Sequence, residues 1–389
     1  MSFLKLILPL SATNRKHLNN IRLFLEKDDL KKVKKMLKLG KIGVSYSSLK
    51  ISNKIAQDQA FPVFNTAVED KEIIEVAKSF SSLIEEKVRE RKYEEFAKIA
   101  GKKIKEFIAP HIVGMGEAKE ASTLLLFATD KVHILLLGDP STGKTDILRA
   151  VSDLAPISAF GLGSGVSSAG LTATIKGKEV MKGLLPMADE GICCIDELNL
   201  MKTKDRGSLL NAMEKGFVTY DKGSKHVKFD ARVSILATAN PTGDQFVGRT
   251  IDTFKKQIPF DPALLTRFHL VFFIRRPGTE EFMHITQKIV SENQKKMELN
   301  DALFIRDYVE FSHLIDVKFD DKMKKQLVDF VAKLKQDENK FIVDVSPRVV
   351  IGLMRFAKAS ARLELRNSVI QEDLDKVFKI FENALYVRK

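Results

Sequence analysis

The chain has 389 residues, which is enough for two or three domains, and its apolar fraction of 44% is ordinary for a globular protein. The net charge is +13, and residues 1–54 hold most of the excess, with eleven Lys and two Arg against three acidic residues. Such asymmetry is typical of a basic surface for nucleic acid, and a Lys-rich solvated helix surface explains it equally well.

Short apolar runs and the two cysteines exclude membrane-spanning, secreted and zinc-binding classes. No apolar run approaches the roughly 18 residues that a membrane helix needs. The opening segment FLKLILPL is interrupted by Lys5 and lacks a small-residue cleavage site, so no signal peptide is predicted. Cys193 and Cys194 are adjacent, and two such neighbours cannot build a disulfide framework or a four-ligand zinc site. We therefore expect a cytoplasmic protein with reduced, buried cysteines.

Residues 1–105 are predicted to form a basic, mainly helical N-terminal domain. Leu30, Val33 and Leu37 recur at helical spacing among lysines. A second helical pattern covers residues 70–108, and its later part alternates in charge sign as an exposed helix face does.

An α/β core is predicted over residues 106–278. Short apolar segments alternate there with helical patterns and are predicted as strands: residues 134–137, 192–195, 233–237 and 270–274. This alternation is typical of a mainly parallel sheet with helices on both faces. An α-helical domain is predicted over residues 279–389. Its helices are expected near residues 305–335, 347–364 and 372–386.

A glycine-cornered loop follows the first of these strands. The eight residues from Gly138 to Thr145 fit G-x-x-x-x-G-K-[ST] between a strand and a helix, a context that disfavours a chance glycine-rich turn. Backbone N–H groups of such a loop and the start of the helix bind phosphate. Lys144 would reach the β- and γ-phosphates, and the Thr145 hydroxyl would ligate Mg²⁺. The predicted nucleotide-binding residues are Gly138, Asp139, Pro140, Ser141, Thr142, Gly143, Lys144, Thr145 and Asp146.

Two acidic residues follow the second predicted strand. Asp196 and Glu197 come at its carboxyl end, where ligands lie in open parallel sheets. Asp196 would contribute to the Mg²⁺ shell, and Glu197 would orient and polarise the attacking water. A surface turn is the alternative for an Asp-Glu pair, and the position directly after an apolar strand favours the catalytic role.

Three further polar residues are candidates for the same chemistry. Asn240 ends the strand of SILATANP, where its amide could hydrogen-bond a γ-phosphate and the water, although Asn before Pro is also a good turn. Arg267 precedes the last strand and could act as a finger on a neighbouring subunit's γ-phosphate, with a surface salt bridge as the alternative. Arg348 follows Ser346 and Pro347, which resemble an N-cap and an N1 proline, and could project toward a nucleotide held between domains.

In this order the motifs resemble those of the AAA+ ATPases, and more narrowly those of the minichromosome maintenance (MCM) replicative helicases. The resemblance runs from about Phe107 to about Phe381, and its narrow markers are GICCIDE followed by NAMEKG, and LLTRF before the helical domain. It implies an AAA+ P-loop NTPase core with a C-terminal α-helical lid that uses ATP and Mg²⁺. It also implies a homo-oligomeric, hexameric ring that moves on single-stranded or duplex DNA without reading its sequence, in DNA replication.

The resemblance assigns roles to two insertions and two arginines. Residues 169–185 look like the family's helix-2 insert, and residues 219–229 look like its pre-sensor-1 β-hairpin, with Lys222 at the family's lysine position. Lysines at the tip of such a hairpin would bind DNA phosphates. The residues expected to contact DNA are Lys222 and Lys225. By the same resemblance Arg267 acts in trans, and Arg348 is the second sensor in the lid.

The chain departs from the family's usual pattern at several points. The P-loop reads Gly-Lys-Thr where Ala-Lys-Ser is usual, and His269 stands where an acidic residue usually follows the finger motif. The zinc site of the family's N-terminal half and its winged-helix tail are not matched in the sequence. These departures indicate a divergent, compact member from an archaeal genome, a virus or a mobile element, acting in the cytoplasm with the nucleoid.

Two alternatives to a DNA helicase are open. One is an AAA+ remodeller of protein complexes, like the related chelatase and MoxR-like groups, and the hairpin lysines and basic N-terminus favour DNA over it. The other is a paralogue that binds nucleotide without hydrolysing it and occupies a place in another ring. A complete set of predicted catalytic residues argues against this second alternative: Lys144, Thr145, Asp196, Glu197, Asn240, Arg267 and Arg348.

Overall fold

The structure, a computed structural model, describes residues 6–7, 63–64, 71–176, 179–222, 225–248, 250–291 and 299–386. The strands in chain order are β1 (Leu6–Ile7), β2 (Val63–Phe64), β3 (His133–Gly138), β4 (Ser158–Leu162), β5 (Ala173–Lys176), β6 (Glu179–Lys182), β7 (Ile192–Asp196), β8 (Phe217–Lys222), β9 (Lys225–Asp230), β10 (Ser234–Ala239) and β11 (Leu270–Ile274). The helices are α1 (Lys71–Phe107), α2 (Gly116–Leu126), α3 (Lys144–Leu154), α4 (Ser168–Leu171), α5 (Leu184–Met187), α6 (Arg206–Lys215), α7 (Ile251–Lys255), α8 (Pro262–Leu265), α9 (Thr279–Ser291), α10 (Leu299–His313), α11 (Asp321–Gln336), α12 (Pro347–Leu363) and α13 (Gln371–Leu385). Short 3₁₀ turns lie at Leu198–Leu200, Thr203–Asp205 and Glu338–Lys340.

The chain divides into two compact units, Met1–Phe96 and Ala97–Lys389. In the first unit, β1 pairs with β2 in antiparallel fashion, and helix α1 begins. The predicted helix around residues 30–37 lies outside the described residues. The predicted domain boundaries at residues 105 and 278 stay predictions.

A five-stranded parallel sheet forms the centre of the second unit, in the spatial order β11-β3-β10-β7-β4. The register pairs Ile235 with His133 on one side and with Cys193 on the other. Strands β3, β7 and β10 are buried along their whole length because helices cover both faces, which explains their continuous apolar sequences. The predicted parallel α/β sheet is confirmed, and both cysteines are buried within it.

Helices pack on both faces of the sheet, and two hairpins interrupt the core sequence. On one face, Leu135, Ile195 and Ile235 belong to a buried cluster that also contains residues of α6 and α8. On the other face, α3 packs on β7, where the Cys194 thiol donates to the Leu148 carbonyl oxygen. The two predicted insertions form antiparallel hairpins, β5–β6 and β8–β9.

The C-terminal region from α10 to α13 is helical, as predicted, and packs on the core. The predicted helical stretch 305–335 is two helices, because the Asp320 carboxylate accepts from the Met323 N–H and begins α11 afresh. Helix α12 begins with Pro347 at its first position, after Ser346 at the N-cap; within the described residues the Ser346 hydroxyl makes no capping hydrogen bond. Within these same residues, no helix combines the length and apolarity that crossing a bilayer requires.

Candidate nucleotide site

The loop between β3 and α3 folds back tightly around its own backbone. Gly138 lies so close to the Ile274 carbonyl that a side chain there would clash. Ser141 and Gly143 adopt left-handed conformations, with φ of 61° and 84°. A Cβ on Gly143 would stand 2.6 Å from the Ile112 side chain, so glycine is required by both conformation and space. The segment Gly138–Thr145 therefore forms a tight loop between a strand and a helix, as its sequence pattern predicts.

Lys144 points its amine into this loop. Its side chain is buried, and Nζ donates to the carbonyl oxygens of Gly138 at 2.8 Å and Asp139 at 2.6 Å. Burial lowers the pKa of Lys144 to about 8, although the Asp139 and Asp196 carboxylates oppose that shift. The amine is therefore still charged at neutral pH, at the place where phosphates would lie.

Asp139 has a structural task that sequence reasoning missed. One carboxylate oxygen accepts from the Phe246 N–H at 2.8 Å, and the other accepts from the Arg276 N–H at 2.9 Å. These bonds tie the loop to the segment after β10 and to the end of β11. A contribution of Asp139 to phosphate binding would therefore come from its backbone.

The predicted metal residues meet at the carboxyl ends of the strands. Thr145 Oγ1 donates to Asp196 Oδ1 at 3.1 Å, and Thr238 Oγ1 donates to the same oxygen. Hydroxyl and carboxylate oxygens suit Mg²⁺, which is held through few protein ligands when substrate phosphates supply the others. Among the described residues, no group of three or more His, Cys, Asp or Glu could hold a metal ion. The donor set therefore fits Mg²⁺ bound together with a nucleotide.

Thr238 and Asn199 connect the ends of β7 and β10, and sequence reasoning missed both. Thr238 Oγ1 accepts from the Glu197 N–H at 2.9 Å, and Asn199 Oδ1 accepts from the Asn240 N–H at 3.0 Å. Glu197 has an exposed side chain and a left-handed backbone with φ of 53°, an uncommon conformation for a residue other than glycine. The sequence signal that could have found Thr238 and Asn199 is a polar residue inside or just after an apolar strand.

An apolar cavity of about 490 Å³ lies beside the phosphate loop. Its lining includes Ile112, Val113, Met115, Phe282 and Ile285. The segment before α2 forms one wall, and two carbonyl oxygens of that segment accept from the buried Lys119 amine. A planar base would fit such a cavity, and sequence reasoning did not assign these residues.

Arg267 and Arg348 lie at the opposite end of the sheet from the phosphate loop. Burial and then the charge of Arg267 lower the pKa of Arg348, so the two guanidinium groups are electrostatic neighbours. The His269 N–H donates to the carbonyl of His133, the first residue of β3, whereas the loop follows the last residue of that strand. A six-residue strand separates the two ends by about 17 Å. The structure thus places Arg348 with Arg267 and not with Lys144.

The β8–β9 hairpin, residues 217–230, has the predicted lysines at its tip. The register pairs Phe217 with Asp230 at the base and Lys222 with Lys225 at the far end. The Lys228 amine lies 4.2 Å from the centre of the Phe217 ring near the base. The backbone therefore agrees with the predicted hairpin, while DNA contact by its tip stays a prediction.

Proteins that place a lysine amine inside a glycine-cornered loop after a parallel strand are P-loop nucleotide-binding proteins, and this chain has that loop in that sheet. Residues 89–293 match the MCM P-loop domain, and residues 303–385 match the MCM AAA-lid domain. The chain therefore belongs to the MCM family, and the family resemblance of the motifs is confirmed.

Curated relatives are similar over about the same region. The DNA replication licensing factor MCM4 of Drosophila melanogaster is 30% identical over 306 residues, which cover 72% of this chain and 35% of the relative. The DNA replication licensing factor MCM6 of Oryza sativa subsp. indica is 29% identical, with 73% and 37% covered. The minichromosome maintenance protein MCM of Saccharolobus solfataricus is 28% identical, with 70% and 43% covered. The chain spans less than half the length of these relatives.

Proposed function

We propose that the chain hydrolyses ATP at sites shared between neighbouring subunits of a hexameric ring, and couples hydrolysis to movement on DNA during replication. The names of the relatives, replication licensing factors and a minichromosome maintenance protein, support this setting. The observation that carries the proposal is the separation of the predicted catalytic residues into two groups at opposite ends of the sheet. A second subunit is needed to bring both groups to one nucleotide.

The first group binds the nucleotide. Lys144 would exchange its bonds to loop carbonyls for bonds to phosphate oxygens, while the loop N–H groups and the start of α3 surround the phosphates. Thr145 and Asp196 would hold Mg²⁺, which when bound offsets charge on the β- and γ-phosphates. The base would occupy the 490 Å³ cavity beside the loop.

Glu197 and Asn240 would act on the attacking water. Glu197 directly follows the predicted metal ligand Asp196, and its exposed carboxylate can accept a proton from water as the bond to the γ-phosphate forms. Asn240 would orient the same water through its amide. Their loops are fixed to each other through Thr238 and Asn199.

The second group serves the neighbouring subunit. Arg267 and Arg348 would approach its γ-phosphate, where permanent planar cations stabilise the charge of a phosphoryl transition state. At the hairpin tip, Lys222 and Lys225 would contact DNA phosphates, which carry no sequence information. Hydrolysis at an interface between subunits would thereby act on DNA bound by the hairpins of the ring.

The test is the ATPase rate of the full chain with and without single-stranded DNA, beside the solution mass in ATP and Mg²⁺. We expect DNA to raise the rate and the mass to correspond to a closed oligomer. If the chain hydrolyses ATP but does not bind DNA, and DNA does not stimulate the rate, the remodelling of protein complexes would be favoured. Nucleotide binding without hydrolysis would favour a paralogue that only occupies a place in a ring.

A further inference from the structure

The guanidinium group of Arg267 is already held by its own chain. Nη2 donates to Glu214 Oε2 at 2.7 Å, and Nη1 donates to the Ala263 carbonyl oxygen. The Arg267 side chain is 20% exposed, and among the described residues its Nε has no hydrogen-bond partner. Each terminal nitrogen of an arginine carries two hydrogens, so one on each remains for an anion. The two contacts thus orient the group without using up its donors.

Glu214 lies in helix α6, which leads directly into the 217–230 hairpin. It is the penultimate residue of α6, and Gly216 ends that helix in a left-handed conformation with φ of 75°. Strand β8 begins at the next residue, and the Ala231 N–H after β9 returns to the Gly216 carbonyl oxygen at 2.9 Å. A displacement of Glu214 therefore moves the base of the 217–230 hairpin.

A buried histidine pair fixes α6 and the Arg267 segment to the same point of the sheet. His133 Nδ1 accepts from the Ile235 N–H at 3.2 Å, and its Nε2 faces the Met213 carbonyl oxygen at 3.3 Å. His269 Nδ1 accepts from the His133 N–H at 3.0 Å. Burial lowers the pKa of His269 to about 3, so this ring stays neutral at physiological pH. Helix α6 and the segment after Arg267 are therefore both attached to the start of β3, which brings Glu214 and Arg267 within reach of each other.

We propose that Glu214 is a positioning residue for Arg267 and that it links this arginine to the base of the 217–230 hairpin. An arginine has a long, flexible side chain, and fixing its planar group beforehand favours bidentate contact with phosphate. Engagement of the neighbour's γ-phosphate then pulls on Glu214, and movement of the hairpin by DNA shifts Arg267. The proposal rests on the proposed function, because it needs Arg267 to act on a neighbour's nucleotide.

The test compares Glu214→Ala and Glu214→Gln with Glu190→Ala in the full chain. Glu190 is an exposed glutamate that also pairs with an arginine, at 3.0 Å from Arg232, and so serves as the control. We expect Glu214→Ala to lower kcat about fivefold to tenfold, with the KM for ATP nearly unchanged, because orientation and not binding is lost. Glu214→Gln should restore part of kcat, since its amide oxygen still accepts. The stimulation of hydrolysis by single-stranded DNA should fall in Glu214→Ala and stay normal in Glu190→Ala.

Two further variants separate this inference from the proposed function. If Arg267→Ala hydrolyses ATP at the normal rate, the proposed function itself is wrong. If Arg267→Ala is defective while Glu214→Ala keeps normal kcat or normal DNA stimulation, the role of Glu214 is wrong and the proposed function stands. The double variant should be no slower than Arg267→Ala, and a further loss would show that Glu214 does not act through the arginine. Unchanged melting temperatures identify the folded variants, and Glu214→Gln, which keeps the size of the side chain, tests the role if alanine unfolds the chain.

Discussion

The two ends of the central sheet differ in how their charged residues are compensated. At the carboxyl ends, Lys144 is buried against carbonyl oxygens, and Asp196 accepts hydrogen bonds from Thr145 and Thr238. At the amino ends, burial and the charges of Arg267 and Arg355 lower the pKa of Arg348, with Glu214 opposing them. The residues at the carboxyl ends thus form a network of paired charges, the carboxyl-end network, whereas at the amino ends the arginines around Arg348 outnumber Glu214, the carboxylate that opposes them.

This difference indicates which partner each end requires. The carboxyl-end network already places the Lys144 amine, the Thr145 hydroxyl and the Asp196 carboxylate around the phosphate loop, so it can bind a nucleotide within one chain. The arginines at the amino ends are stabilised most when an anion from another molecule reaches them, because like charges repel and a phosphate offsets that repulsion. We therefore expect the amino ends of the strands to face the neighbour's nucleotide.

Replacing Arg267 with alanine is the strongest test of this comparison. We expect kcat to fall about a thousandfold, as for other arginines that reach a phosphoryl transition state in trans, while nucleotide affinity is kept. Steady-state hydrolysis and fluorescent-nucleotide binding measure the two quantities. Arg232→Ala removes another arginine from the amino ends of the strands, one paired with Asp189, and should leave kcat unchanged.

Mixed assemblies add a second readout for the same variant. If sites are shared, mixing Arg267→Ala subunits with Lys144→Ala subunits, each inactive alone, should restore part of the hydrolysis, because an intact P-loop in one subunit then meets an intact arginine of its neighbour. No recovery in mixed assemblies would mean that each subunit hydrolyses ATP with its own arginine. The two ends of the sheet would then have to meet within one chain.

Replacing Glu197 with glutamine tests the catalytic role of the carboxyl end of the sheet. We expect turnover to fall at least about a hundredfold because the water loses its proton acceptor, while nucleotide still binds. Glu190→Gln is a close control, because Glu190 is also exposed and also has a left-handed backbone, with φ of 63° against 53° for Glu197. Turnover near the wild-type rate in Glu197→Gln would remove this residue from the reaction.

The pKa of Lys144 predicts how nucleotide affinity changes with pH. Burial lowers this pKa to about 8, and a bound phosphate favours the charged amine. At high pH the amine must take up a proton before it can pair with phosphate, so affinity should be nearly full at pH 7 and about tenfold lower at pH 9. Titration of a fluorescent nucleotide at each pH measures this. In Lys144→Arg the pH dependence should disappear, and a wild-type affinity that is flat to pH 9 would contradict the assignment.

Local sequence patterns predicted those parts of the fold that local chemistry controls. The strand at residues 270–274 and the central strands were predicted because burial on both faces requires continuous apolar sequence. The loop at Gly138–Thr145 was found because phosphate binding imposes its spacing. Strand β4 was missed because it lies at the sheet edge, contains Gly161 and buries only Ala159 fully, so its sequence SAFGL shows no strand period.

Residues whose role depends on spatial neighbours could not be predicted in this way. Thr238 meets Glu197 across 41 positions of chain, and Glu214 meets Arg267 across 53. These partners are decided by which strands lie side by side, and no local pattern in one sequence carries that information. The position of Arg348 beside Arg267 is another example, because it depends on how helix α12 docks on the core.

The smallest expected effect concerns Thr238, the hydroxyl that joins the two catalytic loops. Thr238→Val keeps the shape, removes a donor to Asp196 and leaves the Glu197 N–H without its acceptor. We expect kcat to fall about fivefold and the free energy of unfolding to fall by about 1–2 kcal/mol, because the Asp196 carboxylate is buried and loses a donor. Thr123→Val is the matched control: its buried hydroxyl donates to the Lys119 carbonyl within a helix, so it should affect stability alone. If both variants lose stability and neither loses kcat, the carboxyl-end network supports the fold without orienting Glu197, and the contrast between the two ends would be one of packing and not of catalysis.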